Sequence, residues 1–494
     1  MGFAYDQVLY PGFPLAQTHP DRLATIAGLL GMTAARPDRC RVLELGCGDG
    51  GNLIPMAVEL PGSQFTGIDL AEQAVARGRA VSQALELKNI SLRHMDLMEA
   101  GVDLGPFDYI LAHGLYSWVP PEVRDGVLRI CRANLAPDGV AYVSYNAYPG
   151  FHRREMFREM MLHHVRNVQD PAGRYQGAAE VIAELSKCIP KNELARTLFE
   201  EQERHLSETA PSVVFHDDLA ASNRAFYFYE FIADARRHRL QYLAEADFYE
   251  MQAETYPEPV VDALWRFAGT DCVVREQYLD FIKGRLFRQT LLCRDEATLD
   301  RSLSADRITG LYVASAARSV AERPDLREGV MEEFRGPRGA ALATDCAVAK
   351  IALDRLSEIW PQAVPFPELV GGGDSTRLAY VLFRGYRMGL LQLHTLPPPF
   401  AAAAGERPMA SPLARLQAQQ SPVVTTLRHT LVEVDDAIDR CVLLLLDGTR
   451  NRGALIEGVR EFVRSGGVSG EEPLTTESLE VRLRRLAAEA LLFH

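Results

Sequence analysis

The stretch that most narrows the possible folds is VLELGCGDGGN, residues 42–52, in which an apolar run breaks into four glycines. A glycine-rich turn directly after a strand usually lets a nucleotide approach the backbone. The surrounding sequence supplies the fold for such a turn. RVLELGC (41–47), QFTGIDL (64–70), ISLRHMDL (90–97), FDYILAHG (107–114) and GVAYVSYN (139–146) are short, β-branched or aromatic runs bounded by Gly, Pro or Asp. Between them, AEQAVARGRAVSQALEL and PPEVRDGVLRICRANLAPDG carry apolar residues at helical spacing. Strands alternating with helices predict right-handed βαβ units and a parallel sheet covered on both faces, an α/β fold of Rossmann-like type.

The glycines alone leave the nucleotide open. The pattern is Gly46-x-Gly48-x-Gly50 with Gly51 added, whereas the dinucleotide fingerprint sets its third glycine three residues beyond the second. Glu44 lies two residues ahead of the turn, where it would repel a pyrophosphate but suit a ligand carrying a sulfonium and an ammonium group. Asp69 closes the second strand run, about twenty residues on, where a carboxylate can accept from both ribose hydroxyls. Asp96 closes the third, placed to accept from an adenine amino group. Glycine turn and ordered acids together fit adenosine attached to a sulfonium, which is S-adenosyl-L-methionine. The plainer alternative is that these acids only cap helices in a non-binding α/β domain.

Ligands of open α/β sheets bind beyond the carboxyl ends of the strands, so HGLYSW (113–118) and SYNAYPG (144–150) border the same crevice. His113 is expected either to orient or deprotonate a methyl acceptor or to touch the cofactor. Tyr116 and Trp118 are candidate walls, and Tyr145, Asn146 and Tyr148 offer hydroxyl and amide groups near the transfer point. Methyl transfer is an in-line displacement that needs alignment and exclusion of water more than strong acid–base groups, although an amine acceptor must first lose its proton. YPGFPLAQTHPDRL (10–23) precedes the first strand, and Thr18 ahead of Pro20-Asp21 reads as a helix start. Tyr5, Tyr10, Gln17 and His19 are candidate contacts of a lid folded over the cofactor. The expected cofactor set is Tyr10, His19, Glu44, Gly46, Cys47, Gly48, Asn52, Asp69, Leu70, Asp96, Leu97 and His113.

Beyond Pro149-Gly150 the pattern changes. Residues 151–235 are rich in Arg, Glu, His and aromatics with helical periodicity, and they read as an insertion. HRLQYLAEA (238–246) and RLFRQTLLCR (285–294) read as the last two strands of the sheet, within 236–298. Residues 299–396 hold two helices, near 347–360 and 376–389, and a strand-like LLQLHT, an arrangement resembling a winged helix. A Pro/Ala linker, LPPPFAAAAGERP, separates them from a C-terminal domain over 409–494. Five hundred residues, less six, allow two to four domains, and a formal charge of −13 argues against broad contact with nucleic acid. Without a basic stripe on the helix at 376–389, docking is the expected role of the middle region, not DNA binding. The eight cysteines form no CxxC pair, no disulfide framework and no zinc spacing, which suits a reducing cytoplasm and no metal. No signal peptide and no bilayer-spanning apolar run is expected, and no membrane partner.

YPGFPLAQTHPDRLATIAGLLGM, ELGCGDGGNLIPMA, HGLYSWVPPEVRDGVLRIC and YVSYNAYPGFHRREMFREMM together resemble the bacterial class I methyltransferases that carry a methyltransferase regulatory domain, among them the rickettsial protein lysine methyltransferases. The resemblance continues through 215–248 and 275–294, and more weakly through 429–455. It implies a Rossmann-like catalytic domain over 1–150, a helical insertion involved in homodimerisation, and middle and C-terminal domains that shape the substrate site. It implies that Glu44, Gly46, Gly48, Asp69 and Asp96 hold S-adenosyl-L-methionine, and that His113 and the 145–148 segment border the acceptor. The acceptor it implies is a protein lysine. The alternatives are a small-molecule nitrogen or oxygen and, in another class, a regulatory module that binds the cofactor without turnover.

Overall fold

A computed structural model describes residues 8, 10–101, 104–465 and 474–494; Tyr5 lies outside them. A seven-stranded sheet runs β3-β2-β1-β4-β5-β7-β6, with β1 Arg41–Leu45, β2 Gln64–Asp69, β3 Ile90–His94, β4 Phe107–Ala112, β5 Leu135–Asn146, β6 Leu240–Glu245 and β7 Phe287–Arg294. The first five strands pair in parallel, while β7 inserts antiparallel between β5 and β6. β5 begins four residues earlier than the sequence pattern suggests, because the preceding helix stops at Asn134 and Leu135 is already extended. Pro137 disfavours helical geometry at Ala136, so the chain turns into the sheet before the Pro-Asp-Gly run instead of after it.

The order places β1 inside the sheet between β2 and β4, where burial on both faces explains its largely apolar sequence. Side chains alternate between faces along every strand. Val42, Tyr109, Val140 and Tyr142 join one core, beneath the helices Pro20–Leu29 and Leu53–Glu59. Leu43, Leu45, Ile110, Val143 and Tyr145 join the other, beneath Pro121–Asn134 and Phe228–Arg237. This parity decides which residues of β5 can reach a ligand.

Between β5 and β6 the chain forms the helices Phe151–His164, Pro171–Cys188, Leu194–Glu208 and Pro211–Asp217, which share a core around Phe157, Met161, Ile182 and Leu206. β7 is held by Arg288, which is fully buried and bonds to Glu245 at 2.5 Å and Asp280 at 2.8 Å. A buried charge left unpaired would cost several kcal/mol, so this cluster fixes the strand's position. The middle region packs the helices Ala347–Glu358 and Ser375–Arg387 on two three-stranded antiparallel sheets. Asp21 anchors it to the first helix by accepting from the Thr395 backbone at 2.7 Å and bonding His394 at 2.8 Å. Among the described residues, the C-terminal region combines four helices with the hairpin Val423–Thr425/Leu431–Glu433. Among the described residues, no helix is long and apolar enough to cross a membrane.

Candidate active site

A cavity of about 660 Å³ opens at the carboxyl ends of β1, β2, β4 and β5, within the range of roughly 300–1,000 Å³ usual for small-ligand sites. Its first half is the glycine turn. Gly46, Gly48 and Gly50 have φ of +75°, +54° and +76°, the left-handed region where a side chain is strained. Asp69, the last residue of β2, accepts from the Gly48 and Ala71 backbone N–H groups, both at 2.7 Å, and so holds the turn against the second strand. A Cβ on Gly48 would meet nothing within 4 Å, whereas one on Gly51 would fall 2.6 Å from the Gly12 backbone. The turn is therefore open toward the cavity at Gly48 and closed by the N-terminal strap at Gly51.

Glu44 is 4% exposed and lines this half. Its Oε1 accepts from Asn52 Nδ2 at 2.8 Å, but Oε2 has no partner among the described residues. Burial pushes its carboxyl up to about 8, with Asp69 and Asp49 adding repulsion against the Asn52 bond. A buried carboxylate with a spare oxygen, an open glycine and two further acids in one cavity fits a cationic adenosyl ligand. Asn52 is the hub behind it, accepting from the Leu15 backbone at 3.0 Å and donating to Thr18 Oγ at 3.0 Å. His429, from the C-terminal region, bonds the Asn52 oxygen through Nε2 at 2.9 Å and is 2% exposed. The sequence gives no sign of this contact, because the two residues lie 377 positions apart.

Asp96 lines the cavity while its carboxylate accepts from the Met98 backbone at 2.8 Å, capping a short turn two residues past β3. Cys47, Leu70, Leu97, Tyr10 and the strap residues Gly12 and Phe13 line the same half. The Tyr10 ring sits edge-on to His216, with centroids 5.7 Å apart, which ties the strap to the inserted helices.

The second half gathers His113, Trp118, Asn146, Phe151, Arg154, Asp217, Asn223, Leu286 and Phe287. His113 is enclosed, its Nδ1 bonded to the Tyr142 hydroxyl at 2.9 Å, and burial drives its pKa down to about 4. It is therefore neutral at physiological pH. Asn146 ends β5 and donates through Nδ2 to Asn223 Oδ1 at 2.8 Å. Nothing in the sequence pattern singles out Arg154, Asp217, Asn223 or Phe287, which come from the insertion and from β7.

Five expected site residues lie elsewhere. Tyr145 falls on the opposite face of β5 from Tyr142, fully buried, stacked on Phe231 at 4.2 Å with its hydroxyl 3.1 Å from Thr290. Strand alternation puts it there, since Asn146 faces the cavity. Tyr116 joins the same core, edge-on to Phe231 at 5.2 Å. Tyr148 does not line the cavity; its ring stacks on His152 at 4.1 Å and its hydroxyl donates to Glu155 at 2.9 Å, held by the first turn of the inserted helix. His19 caps the helix Pro20–Leu29, accepting from the Asp21 backbone at 3.3 Å, with Glu59 3.5 Å from its other nitrogen. It stands behind Asn52, beside His429 at 5.6 Å, and supports the wall of the cavity from outside. Gln17, in the short 3-10 turn of residues 16–18, does not line the cavity either.

Three family models match separate stretches of the chain. Residues 42–139 match the methyltransferase domain family, 210–294 the predicted methyltransferase regulatory domain and 406–491 the PKMT C-terminal winged helix domain. The last match puts a winged helix in the C-terminal region, in line with the winged-helix-like folds expected of the middle and C-terminal domains. An uncharacterized protein of Rickettsia prowazekii is 32% identical over 94% of this chain and 86% of its own length. A second protein of that organism is 32% identical over 47% of this chain and 94% of its own. PKMT2 from Rickettsia typhi, solved in complex with AdoHcy, superposes with a TM-score of 0.86 at 26% identity, covering 98% of this chain and 99% of that one. The fold and the methyltransferase domain define an S-adenosyl-L-methionine-dependent methyltransferase of class I. The chain belongs to the family of bacterial methyltransferases that join this domain to a methyltransferase regulatory domain and a PKMT-type winged helix.

Proposed function

We propose that the protein transfers methyl groups from S-adenosyl-L-methionine to a lysine ε-amine of a protein. The observation that carries this reading is the charge of the cavity wall. Among the described residues, Glu44, Asp49, Asp69, Asp96 and Asp217 line it against Arg77 and Arg154, and Arg154 is already bonded to Asp218 at 3.0 Å. An acidic wall suits a cationic cofactor and an amine acceptor, and would repel an acidic one. The likeness to PKMT2 over 98% of the chain supports the same reading.

In this assignment Asp69 accepts from the ribose hydroxyls, Asp96 from the adenine amino group, and Glu44 receives the ammonium group through its spare oxygen. The cofactor supplies a methyl group on a sulfonium. Gly48 leaves room for it, and the strap around Gly12 and Phe13 excludes water. Asn146 and neutral His113 border the acceptor nitrogen, and the aromatic rings of Trp118, Phe151 and Phe287 wall the lysine stem. Incubation with methyl-labelled S-adenosyl-L-methionine and a bacterial lysate, split into protein and small-molecule fractions, tests the reading. Labelled ε-methyl-lysine in acid hydrolysates of the protein fraction is the expected result, and label confined to small molecules overturns it.

A further inference from the structure

Asp217 and Asp218 are consecutive acids with opposite surroundings. Asp218 is 1% exposed and fully engaged, accepting from Arg154 Nε at 3.0 Å and bonding His205 Nε2 at 3.2 Å. Asp217 ends the helix Pro211–Asp217, lines the cavity, and its carboxylate makes no hydrogen bond or ion pair among the described residues. Its backbone carbonyl accepts from Asn223 Nδ2 at 2.9 Å, and Asn223 Oδ1 accepts from Asn146 Nδ2 at 2.8 Å. Two side-chain amides thus tie Asp217 to the carboxyl end of β5, beside the place where the methyl acceptor must sit. His113 cannot take the proton that a lysine ammonium has to lose near neutral pH, because its burial holds it far below the needed basicity.

We propose that Asp217 is a catalytic residue which receives the acceptor ammonium as an ion pair and takes its proton before transfer. This rests on the lysine reading above. The balance is simple. One proton moves from the ε-ammonium to the Asp217 carboxylate, leaving a nitrogen lone pair. That pair forms the N–C bond while the S–C bond breaks and its electrons stay on sulfur. The product is a methylammonium, and the proton on Asp217 returns to solvent.

The charged groups facing Asp217 are Asp218 on its own segment, Arg154 from the helix Phe151–His164 and His205 from the helix Leu194–Glu208. Burial raises Asp217 to about 7; Asp218 adds to the rise, and Arg154 and His205 oppose it. The base form is the active one, so activity is present above about pH 7 and lost as pH falls through it.

The test uses the full chain, labelled S-adenosyl-L-methionine and the protein fraction of a bacterial lysate, with ε-methyl-lysine as the readout from pH 6 to 10. S-adenosylhomocysteine affinity is measured beside it by calorimetry. Asp217→Asn should lower the rate at pH 7 by roughly 100-fold or more. What remains should climb about tenfold per pH unit toward the lysine value near 10.4. Affinity for S-adenosylhomocysteine should stay within about twofold of wild type. Asp217→Glu should restore part of the rate, and it stands in if the asparagine variant does not fold. A wild-type rate and pH profile in Asp217→Asn, or a parallel loss of cofactor affinity, overturns the proposal while leaving the lysine reading intact. If the wild type labels no lysine, the lysine reading fails first and this assignment fails with it.

Discussion

One cavity has two ends, and the chain builds them by different routes. The cofactor end comes mostly from a short continuous stretch, residues 44–97, with the strap of residues 10–13 laid over it, and Glu44, Asp69 and Asp96 stand at or just past the carboxyl ends of their strands. The acceptor end is assembled from pieces far apart in the chain, namely the ends of β4 and β5, the inserted helices and the start of β7. Local spacing dictates the first end. Tertiary packing dictates the second, where a position's role depends on which sheet face it meets and which distant segment covers it.

Tyr145 and Asn146 are neighbours on β5 that fall on opposite sides of this division, and they give the test with the largest expected effect. Tyr145→Ala removes a fully buried ring stacked on Phe231 and should destabilise the fold by about 3–5 kcal/mol in denaturant titration. Tyr145→Phe should cost only about 1 kcal/mol and leave turnover unchanged, since it loses one bond to Thr290. A large fall in turnover with Tyr145→Phe would return that hydroxyl to the acceptor site. Asp69→Ala comes next. Loss of one charge-assisted hydrogen bond is worth about 1.5–3 kcal/mol, so calorimetry should show cofactor affinity at least tenfold weaker. The loosened Gly48 N–H adds to that loss.

Gly48→Val should add strain of about 1–2 kcal/mol at a φ of +54° and fill the open side of the turn. Cofactor binding should therefore fall far more than stability, and equal losses in both would mean that the open side faces no ligand. Smaller still is a proton effect at Glu44. Its folded pKa of about 8 stands above the usual 4.5, so this group's contribution to stability is full below about 4.5 and lost as pH rises through 8. A cation bound beside it favours the ionised form, so cofactor binding near pH 7 should release protons, measured by calorimetry in buffers of different ionisation enthalpy. Glu44→Gln should reduce that release, and an unchanged release would remove Glu44 from the ammonium contact.

The contrast explains what was legible in the sequence. The first five strands and their parallel pairing, the glycine turn, and Glu44, Asp69 and Asp96 all follow from spacing within βαβ units. The antiparallel entry of β7 does not, because nothing local in RLFRQTLLCR encodes its direction; pairing with β5 and the buried Arg288 cluster set it. Tyr116 and Tyr145 look like site residues because they stand in the right loops and strand ends, yet large rings on the covered face find more to bury against Phe226 and Phe231 than at the cavity. Asp217 was hidden in a tandem of acids, where only the partners of Asp218 reveal which one is free to meet a ligand. His429 reaches Asn52 from the C-terminal region, and no periodicity could connect them.

The division of the cavity is tested most directly by titrating S-adenosylhomocysteine into the wild type, Asp69→Ala and Asp217→Asn by calorimetry. The account predicts at least tenfold weaker binding for Asp69→Ala and near wild-type binding for Asp217→Asn. Undiminished binding by Asp69→Ala, or an equal loss in both variants, would contradict it.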